Sequence, residues 1–210
     1  MSPGPRYVRS ARKRALDVVL GGGALLVAAP IIAVAAVAIR LESRGGAIYR
    51  QWRVGRDGHR FQILKLRTMV QGAENLGAGM AVDEGDMRIT RVGRVLRRTS
   101  IDELPNLVNI IRGEMSLVGP RPTLDSQVAT YDERQRRRLS VRPGVTGWAQ
   151  VNGRASLPWS KRIELDLWYL DNASIALDLR ILALSVRIAV TGHGLYRGEH
   201  GGWRPEDRSA

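Results

Sequence analysis

Residues 18–39 read VVLGGGALLVAAPIIAVAAVAI, an uncharged run of 22 residues. As an α-helix it would be roughly 33 Å long, enough for a hydrocarbon core of about 30 Å. It is too apolar for an ordinary surface helix, and no convincing cleavage site follows it, so a removed signal peptide is not expected. Two features bear on its path. Basic residues flank both ends, with Lys13 and Arg14 before the run and Arg40 and Arg44 after it, and such flanks favour the cytoplasmic side. Pro30 stands in mid-run behind Gly21-Gly22-Gly23, and a proline removes a backbone donor and kinks a helix. Arms of about a dozen residues would each reach only near the bilayer midplane. The expectation is a re-entrant helical hairpin broken at Pro30 rather than a single spanning helix.

The rest of the 210 residues suffices for one sizeable domain. The formal net charge is +13, carried almost wholly by arginine, since Lys13, Lys65 and Lys161 are the only lysines. That balance implies an anionic partner: nucleic acid, a phospholipid surface, or nucleotide and lipid phosphates. Cysteine is absent, which excludes disulfides, thiolate metal sites and a cysteine nucleophile. Residues 47–54 and 61–68, joined through Asp57-Gly58, read as a β-hairpin. Lys65 and Arg67 share one face of its second strand. The Gly- and Ala-rich segment 71–86 reads as a loop, with a lid as one possible use. Residues 123–139 read as a charged helix, with Arg136, Arg137 and Arg138 facing solvent or lipid headgroups. Trp148–Val151 reads as a short strand. Trp159–Tyr169 and Asn172–Val190 read as amphipathic helices, suited either to a membrane interface or to the core. The tail from His193 has no apolar period.

The chemistry concentrates in TSIDELPNLVNIIRGEMSLVGPRP, residues 99–122. Asp102 and Glu103 are adjacent carboxylates close behind Arg94, Arg97 and Arg98, and Arg121 follows. Ser100 and Glu103 have the spacing of a capping box before an apolar run, which is the plain structural reading. A helix start is also an anion site, so the carboxylates could equally gather a metal and a phosphate. A phosphate-binding P-loop, a zinc-spaced ligand set and a His-based triad are all missing from the sequence. A phosphorylated substrate handled at a membrane fits these parts. One carboxylate can attack phosphorus, a second can hold Mg²⁺, and arginines can clamp phosphate oxygens in pairs.

Three stretches, KLRTM (65–69), residues 99–122, and RPGVTGWAQVNGR (142–154), resemble in order the bacterial sugar transferase family, the monotopic polyprenyl-phosphate phosphoglycosyl transferases. The resemblance implies an α+β, mainly helical fold. It would comprise a membrane-embedded re-entrant hairpin and a cytoplasmic domain with a small β-hairpin and amphipathic interfacial helices. It implies a basic N-terminus and membrane helix over 1–44, a catalytic domain over 45–192 and a tail over 193–210. The implied reaction moves a phosphosugar from a nucleotide diphosphate sugar, usually a UDP-sugar, to polyprenyl phosphate. UMP is released, and surface-glycan synthesis begins on the cytoplasmic face of the bacterial inner membrane. By the same resemblance Asp102 is the nucleophile and Glu103 helps hold Mg²⁺. Arg97 and Arg121 meet phosphates, with Lys65, Arg142 and Arg154 as further substrate-binding positions. Pro30 matches the family's helix break, although Ala29 stands where many members have serine. The expected partners are the donor, the polyprenyl phosphate acceptor, membrane lipid and downstream glycosyltransferases, with no nucleic acid. The competing reading is a non-catalytic polybasic membrane adaptor. It leaves the acids within the arginine cluster unexplained.

Overall fold

A computed structural model describes residues 3–73 and 85–191. The expected 71–86 loop falls mostly outside the described residues, and the tail from His193 wholly so. Helices α1 (Pro3–Val8) and α2 (Ala11–Glu42) come first, then strands β1 (Ile48–Val54) and β2 (Arg60–Leu66). After α3 (Arg91–Arg98) and α4 (Asn106–Arg112) comes β3 (Ser116–Val118), followed by the short helices α5 (Asp125–Val128) and α6 (Glu133–Arg136). Strand β4 (Gly144–Thr146) precedes α7 (Trp148–Val151), α8 (Trp159–Asn172) and α9 (Ile175–Thr191). The mainly helical architecture with a small β-hairpin is as expected.

The helix α2 is long and apolar enough to cross a membrane. Helical structure continues through Pro30, so the two expected arms form one element. Its buried positions are Lys13, Asp17, Gly21, Ala28, Ala35 and Ile39. They recur at intervals of four or seven residues, one or two helical turns, so one stripe along almost the whole helix faces the rest of the protein. Its first half packs on α4, where a Cβ on Gly21 would come within 3.1 Å of Ile110. Its second half joins Ala47, Leu66 and Leu96 in a small apolar cluster. The opposite face is bare: Leu26, Val27, Val34 and Leu41 are 79, 73, 72 and 84% exposed.

Both ends of α2 are tied to the same body. At the N-terminal end Lys13 Nζ donates to Asp17 (2.9 Å) and lies 2.8 Å from Asp178 of α9. Asp17 also accepts from Ser116 Oγ (2.8 Å) and the Leu117 amide (3.1 Å). The Asp178 carboxylate accepts from Tyr7 (2.8 Å) and Tyr169 (2.7 Å). At the C-terminal end the Glu42 carboxylate caps α3, accepting from the amides of Arg91 (2.7 Å) and Val92 (3.0 Å). Arg67 donates to the Ser43 carbonyl (2.9 Å) and hydroxyl (3.1 Å) and to the Arg44 carbonyl (2.5 Å).

Strands β1 and β2 pair antiparallel, with Tyr49 opposite Lys65 and Arg53 opposite Phe61. Their turn uses Asp57 and Gly58, both at positive φ, as a tight hairpin requires. Strands β3 and β4 pair in parallel. Phe61, Ile63, Ile110, Met115, Ile163, Leu167 and Ile181 form the main core under these elements. Three expectations are corrected. Trp148–Val151 is helical, because Gly144–Thr146 already supplies the strand beside β3. The single helix over 123–139 is instead α5, α6 and a 3₁₀ turn. Arg138 does not face solvent: it is 4% exposed and donates to Asp166 Oδ2 at 2.6 Å.

Candidate active site

The second strand of the hairpin ends by presenting Lys65 beside the fully buried Leu66. Three residues on, the chain passes directly under α3. A Cβ on Gly93 would lie 2.0 Å from the Thr68 carbonyl oxygen, so only glycine permits this crossing. The approach lets Arg97 Nε donate to Thr68 Oγ1 at 2.7 Å. After α3 the chain reverses at Ser100, which adopts a left-handed conformation (φ 57°, ψ 17°). Left-handed backbone is costly for a residue with a Cβ and is kept where surroundings enforce it. Here Arg154 Nη2 donates to Ser100 Oγ (3.3 Å). The turn leads into the 3₁₀ segment Ile101–Glu103 and turns both carboxylates into a cavity.

That conformation removes the capping box. The Ser100 hydroxyl caps no amide, and the next α-helix begins only at Asn106, behind Pro105. Glu103 is used differently: its Oε1 accepts from Lys65 Nζ at 2.7 Å and from Arg121 Nη2 at 2.8 Å. Arg121 is delivered by the turn after β3, where Gly119 donates to the Thr146 carbonyl and Gly144 to the Pro120 carbonyl, both at 2.9 Å. A Cβ on Gly144 would stand 2.2 Å from the Gly119 nitrogen. The 142–147 stretch is therefore the abutment against which the Arg121 turn is set.

The cavity has a volume of about 560 Å³. Of the residues singled out in the sequence, it brings together Lys65, Arg97, Asp102, Glu103, Arg121 and Arg154. It does not bring in Arg142, whose Nε donates to the Gly113 carbonyl (2.8 Å) on the side facing α2. Arg67 lines the cavity but spends its Nη donors on the end of α2. Further lining residues escaped the sequence reading: Arg53, Arg138, Gln150, Trp159, Arg162 and Asp166. Trp159, Arg162 and Asp166 sit three, then four residues apart on α8, sharing one face. Charge at that spacing within an apolar pattern was the signal available.

The two adjacent carboxylates are electrostatically unlike. Burial pushes the Asp102 carboxyl up to about 6, with Lys65 opposing and Glu103 reinforcing the shift. Burial would also raise Glu103, but Arg121 and Lys65 outweigh it and hold that carboxyl well below the usual range. Among the described residues none hydrogen-bonds Asp102, and Oε2 of Glu103 is likewise left over. Arg53 and Arg162 are brought down to about 10 by burial and by Arg121, and remain cations at neutral pH. No group of three or more metal-ligating side chains occurs among the described residues. Two carboxylates beside clustered arginines nonetheless fit Mg²⁺, which takes one or two carboxylates and completes its shell with water and phosphate oxygens.

The chain is similar over most of its length to known proteins. The uncharacterized sugar transferase EpsL of Bacillus subtilis is 42% identical over 188 residues, covering 90% of this chain and 92% of its own. The UDP-glucose:undecaprenyl-phosphate glucose-1-phosphate transferase of Caulobacter vibrioides is 43% identical over 202 residues, with 92% of this chain and 75% of that protein aligned. The UDP-N-acetylgalactosamine-undecaprenyl-phosphate N-acetylgalactosaminephosphotransferase of Aeromonas hydrophila is 42% identical over 188 residues, 87% of this chain but only 44% of its length. The three proteins thus differ widely in how much of their length this chain spans. Residues 8–192 match the bacterial sugar transferase family, and the chain belongs to that family.

Proposed function

We propose that the protein transfers a phosphosugar from a UDP-sugar to a polyprenyl phosphate at the cytoplasmic face of the bacterial inner membrane, starting a surface glycan. The observation that carries this reading is the asymmetry of the dyad. Glu103 is gripped by two cations, whereas the neighbouring Asp102, which lines the same arginine-rich cavity, accepts no hydrogen bond from the described residues. Arg97, Arg121 and Arg154 line that cavity too, and guanidinium groups suit paired phosphate oxygens.

In this reading an Asp102 carboxylate oxygen attacks the phosphorus that bears the sugar. The bond from that phosphorus to the UMP oxygen breaks, and UMP departs with the electron pair. An aspartyl phosphosugar remains. A phosphate oxygen of the polyprenyl phosphate then attacks the same phosphorus and expels the Asp102 carboxylate. The product is polyprenyl diphosphosugar. Asp102 and Glu103 Oε2 would hold Mg²⁺, which when bound supplies charge neutralisation for the diphosphate. Lys65 and Arg121 keep Glu103 ionised and in place.

We further read α2 as re-entrant and the protein as monotopic. Support comes from its two tethered ends: Lys13 at one and Glu42 and Ser43 at the other meet the same body. A spanning helix would place one of those ends, with the residues bonded to it, on the far side of the bilayer from the rest of that body. The bare apolar face of α2, with Trp168, Ile175 and Leu179 of α8 and α9, offers a surface suited to lipid. Cysteines placed at the exposed Arg12 and Arg44 should both resist an impermeant thiol reagent in intact cells and react after permeabilisation. Labelling of position 12 alone in intact cells would mean that α2 spans.

Function is tested by screening UMP release over a panel of UDP-hexoses and UDP-N-acetylhexosamines with undecaprenyl phosphate and Mg²⁺. Acceptor-dependent release with at least one donor is expected. Salt-sensitive binding to anionic vesicles with no turnover across the panel would favour the adaptor reading instead.

A further inference from the structure

The cavity that holds Asp102 and Glu103 among its cations is also lined by Gln150 of α7, Asp166 of α8 and Arg154. Among the described residues these three carry buried polar atoms of both senses without a partner, besides the unpaired Nε atoms of Arg53 and Arg67. Gln150 is 8% exposed, and neither its Oε1 nor its Nε2 makes a hydrogen bond. Asp166 is 1% exposed; Arg138 Nε (2.9 Å) and Nη2 (2.6 Å) both donate to its Oδ2, and its Oδ1 accepts from nothing. Arg154 donates to Ser100 through Nη2, while its buried Nη1 has no acceptor. Buried polar groups in folded proteins are satisfied almost without exception, so a cluster of exceptions in one cavity marks a place where a ligand completes the bonding.

The kind of ligand follows from the atoms on offer. Two acceptors (Asp166 Oδ1 and Gln150 Oε1) and two donors (Gln150 Nε2 and Arg154 Nη1) suit groups that both give and take hydrogen bonds. Hydroxyls do this. A phosphate cannot, because it would face the Asp166 carboxylate and the Gln150 carbonyl oxygen. A stacked nucleobase is disfavoured too. Trp159, on α8 with Asp166, has the guanidinium groups of Arg138 and Arg162 over its ring at 5.4 and 5.9 Å. Arg162 is itself fixed by donating to the carbonyls of Leu157 (3.0 Å) and Ala155 (2.8 Å).

We propose that Gln150 and Asp166 form the subsite for the hydroxyl groups of the transferred sugar, with Arg154 bridging between sugar and phosphate ends. The assignment rests on the donor reading given above. It makes Gln150 and Asp166 specificity-determining residues, which hold the sugar while its phosphorus is at Asp102.

The test compares a UDP-sugar with UDP, which lacks the sugar, on the full chain in lipid nanodiscs. Gln150→Leu is the primary variant, because Asp166 also holds Arg138 and its loss could unfold the site. For the donor that the wild type turns over, Gln150→Leu should weaken binding and raise KM at least tenfold. UDP affinity should change by less than about twofold, a discrimination expected when a buried hydrogen-bonding site loses its partner. Equal weakening for UDP and the UDP-sugar would show that the subsite holds the nucleotide, and would overturn the proposal. Unchanged constants for both, with turnover intact, would overturn it as well while leaving the donor reading standing. Absence of UMP release by the wild type from every UDP-sugar of the panel would overturn the donor reading and the subsite with it.

Discussion

Two charged clusters in this protein look alike in composition and differ in how far they satisfy themselves. Lys13, Asp17 and Asp178 form the first, Lys65, Asp102 and Glu103 the second. In the first every carboxylate oxygen is accounted for: Asp17 by Lys13, Ser116 and the Leu117 amide, Asp178 by Tyr7, Tyr169 and Lys13. In the second Glu103 is bonded through one oxygen and Asp102 through neither, among the described residues. A cluster that satisfies itself joins α2 to α9 and β3 and has no bonding capacity left for a substrate. A cluster that does not is where a substrate can act. The first cluster is also the more deeply buried, with Lys65 and Glu103 partly exposed, but it is the count of unused lone pairs that marks the second as a site.

The largest expected effect breaks the second cluster at its unpaired member. Asp102→Asn removes the nucleophile and should lower turnover by at least about 10³-fold with the melting temperature nearly unchanged, as befits a group that makes no structural bond. Full activity in this variant would remove Asp102 from its role. Lys13→Met breaks the first cluster and should do the reverse. Stranding two buried carboxylates costs about 3–5 kcal/mol. For a chain of this size that is roughly 6–20 °C in a thermal melt. A melt within a degree or two of the wild type would show that the cluster contributes little to holding α2.

A third effect is smaller and concerns pH. Asp102 must be ionised to attack, and its carboxyl is raised to about 6. In the metal-free protein this carboxylate should therefore take up its proton as pH drops through about 6, read as an infrared or NMR titration, and Mg²⁺ held by it would draw the step lower. Glu103, held far below by Arg121 and Lys65, stays ionised over the same window. A metal-free midpoint in the ordinary aspartate range, near 4, would contradict the environment described for Asp102. The Gly93→Ala substitution sharpens the structural side. Its Cβ would collide with the Thr68 carbonyl, shifting α3 and the Arg97–Thr68 bond, so it should cost stability and donor affinity together.

Much of this was legible in the sequence, for identifiable reasons. The apolar run around Pro30, the Asp57-Gly58 hairpin and the helical period of 159–169 are local signals that tertiary contacts did not override. The dyad with Lys65, Arg121 and Arg154 was legible because the motifs hold them, and Arg97 because it stands two residues before one of them. Arg142 was misplaced by the same route. Its motif matters through the Gly144–Gly119 contact rather than through its own guanidinium. Arg138 was read as solvated because it ends a run of three arginines. Only the fold reveals its partner, Asp166, 28 residues away. Gln150 lay in a segment read as a strand, and as an uncharged residue it gave no signal at all. The left-handed turn at Ser100 was hidden by a capping-box spacing that the backbone does not use.

The central claim is that Asp102 forms a bond to phosphorus before the lipid acceptor arrives. It is tested most directly by mixing enzyme, Mg²⁺ and the preferred UDP-sugar without polyprenyl phosphate and measuring UMP. Release of about one UMP per enzyme, absent in Asp102→Asn, is the predicted result for a covalent ping-pong route. No UMP without acceptor, with normal turnover once acceptor is added, would contradict it.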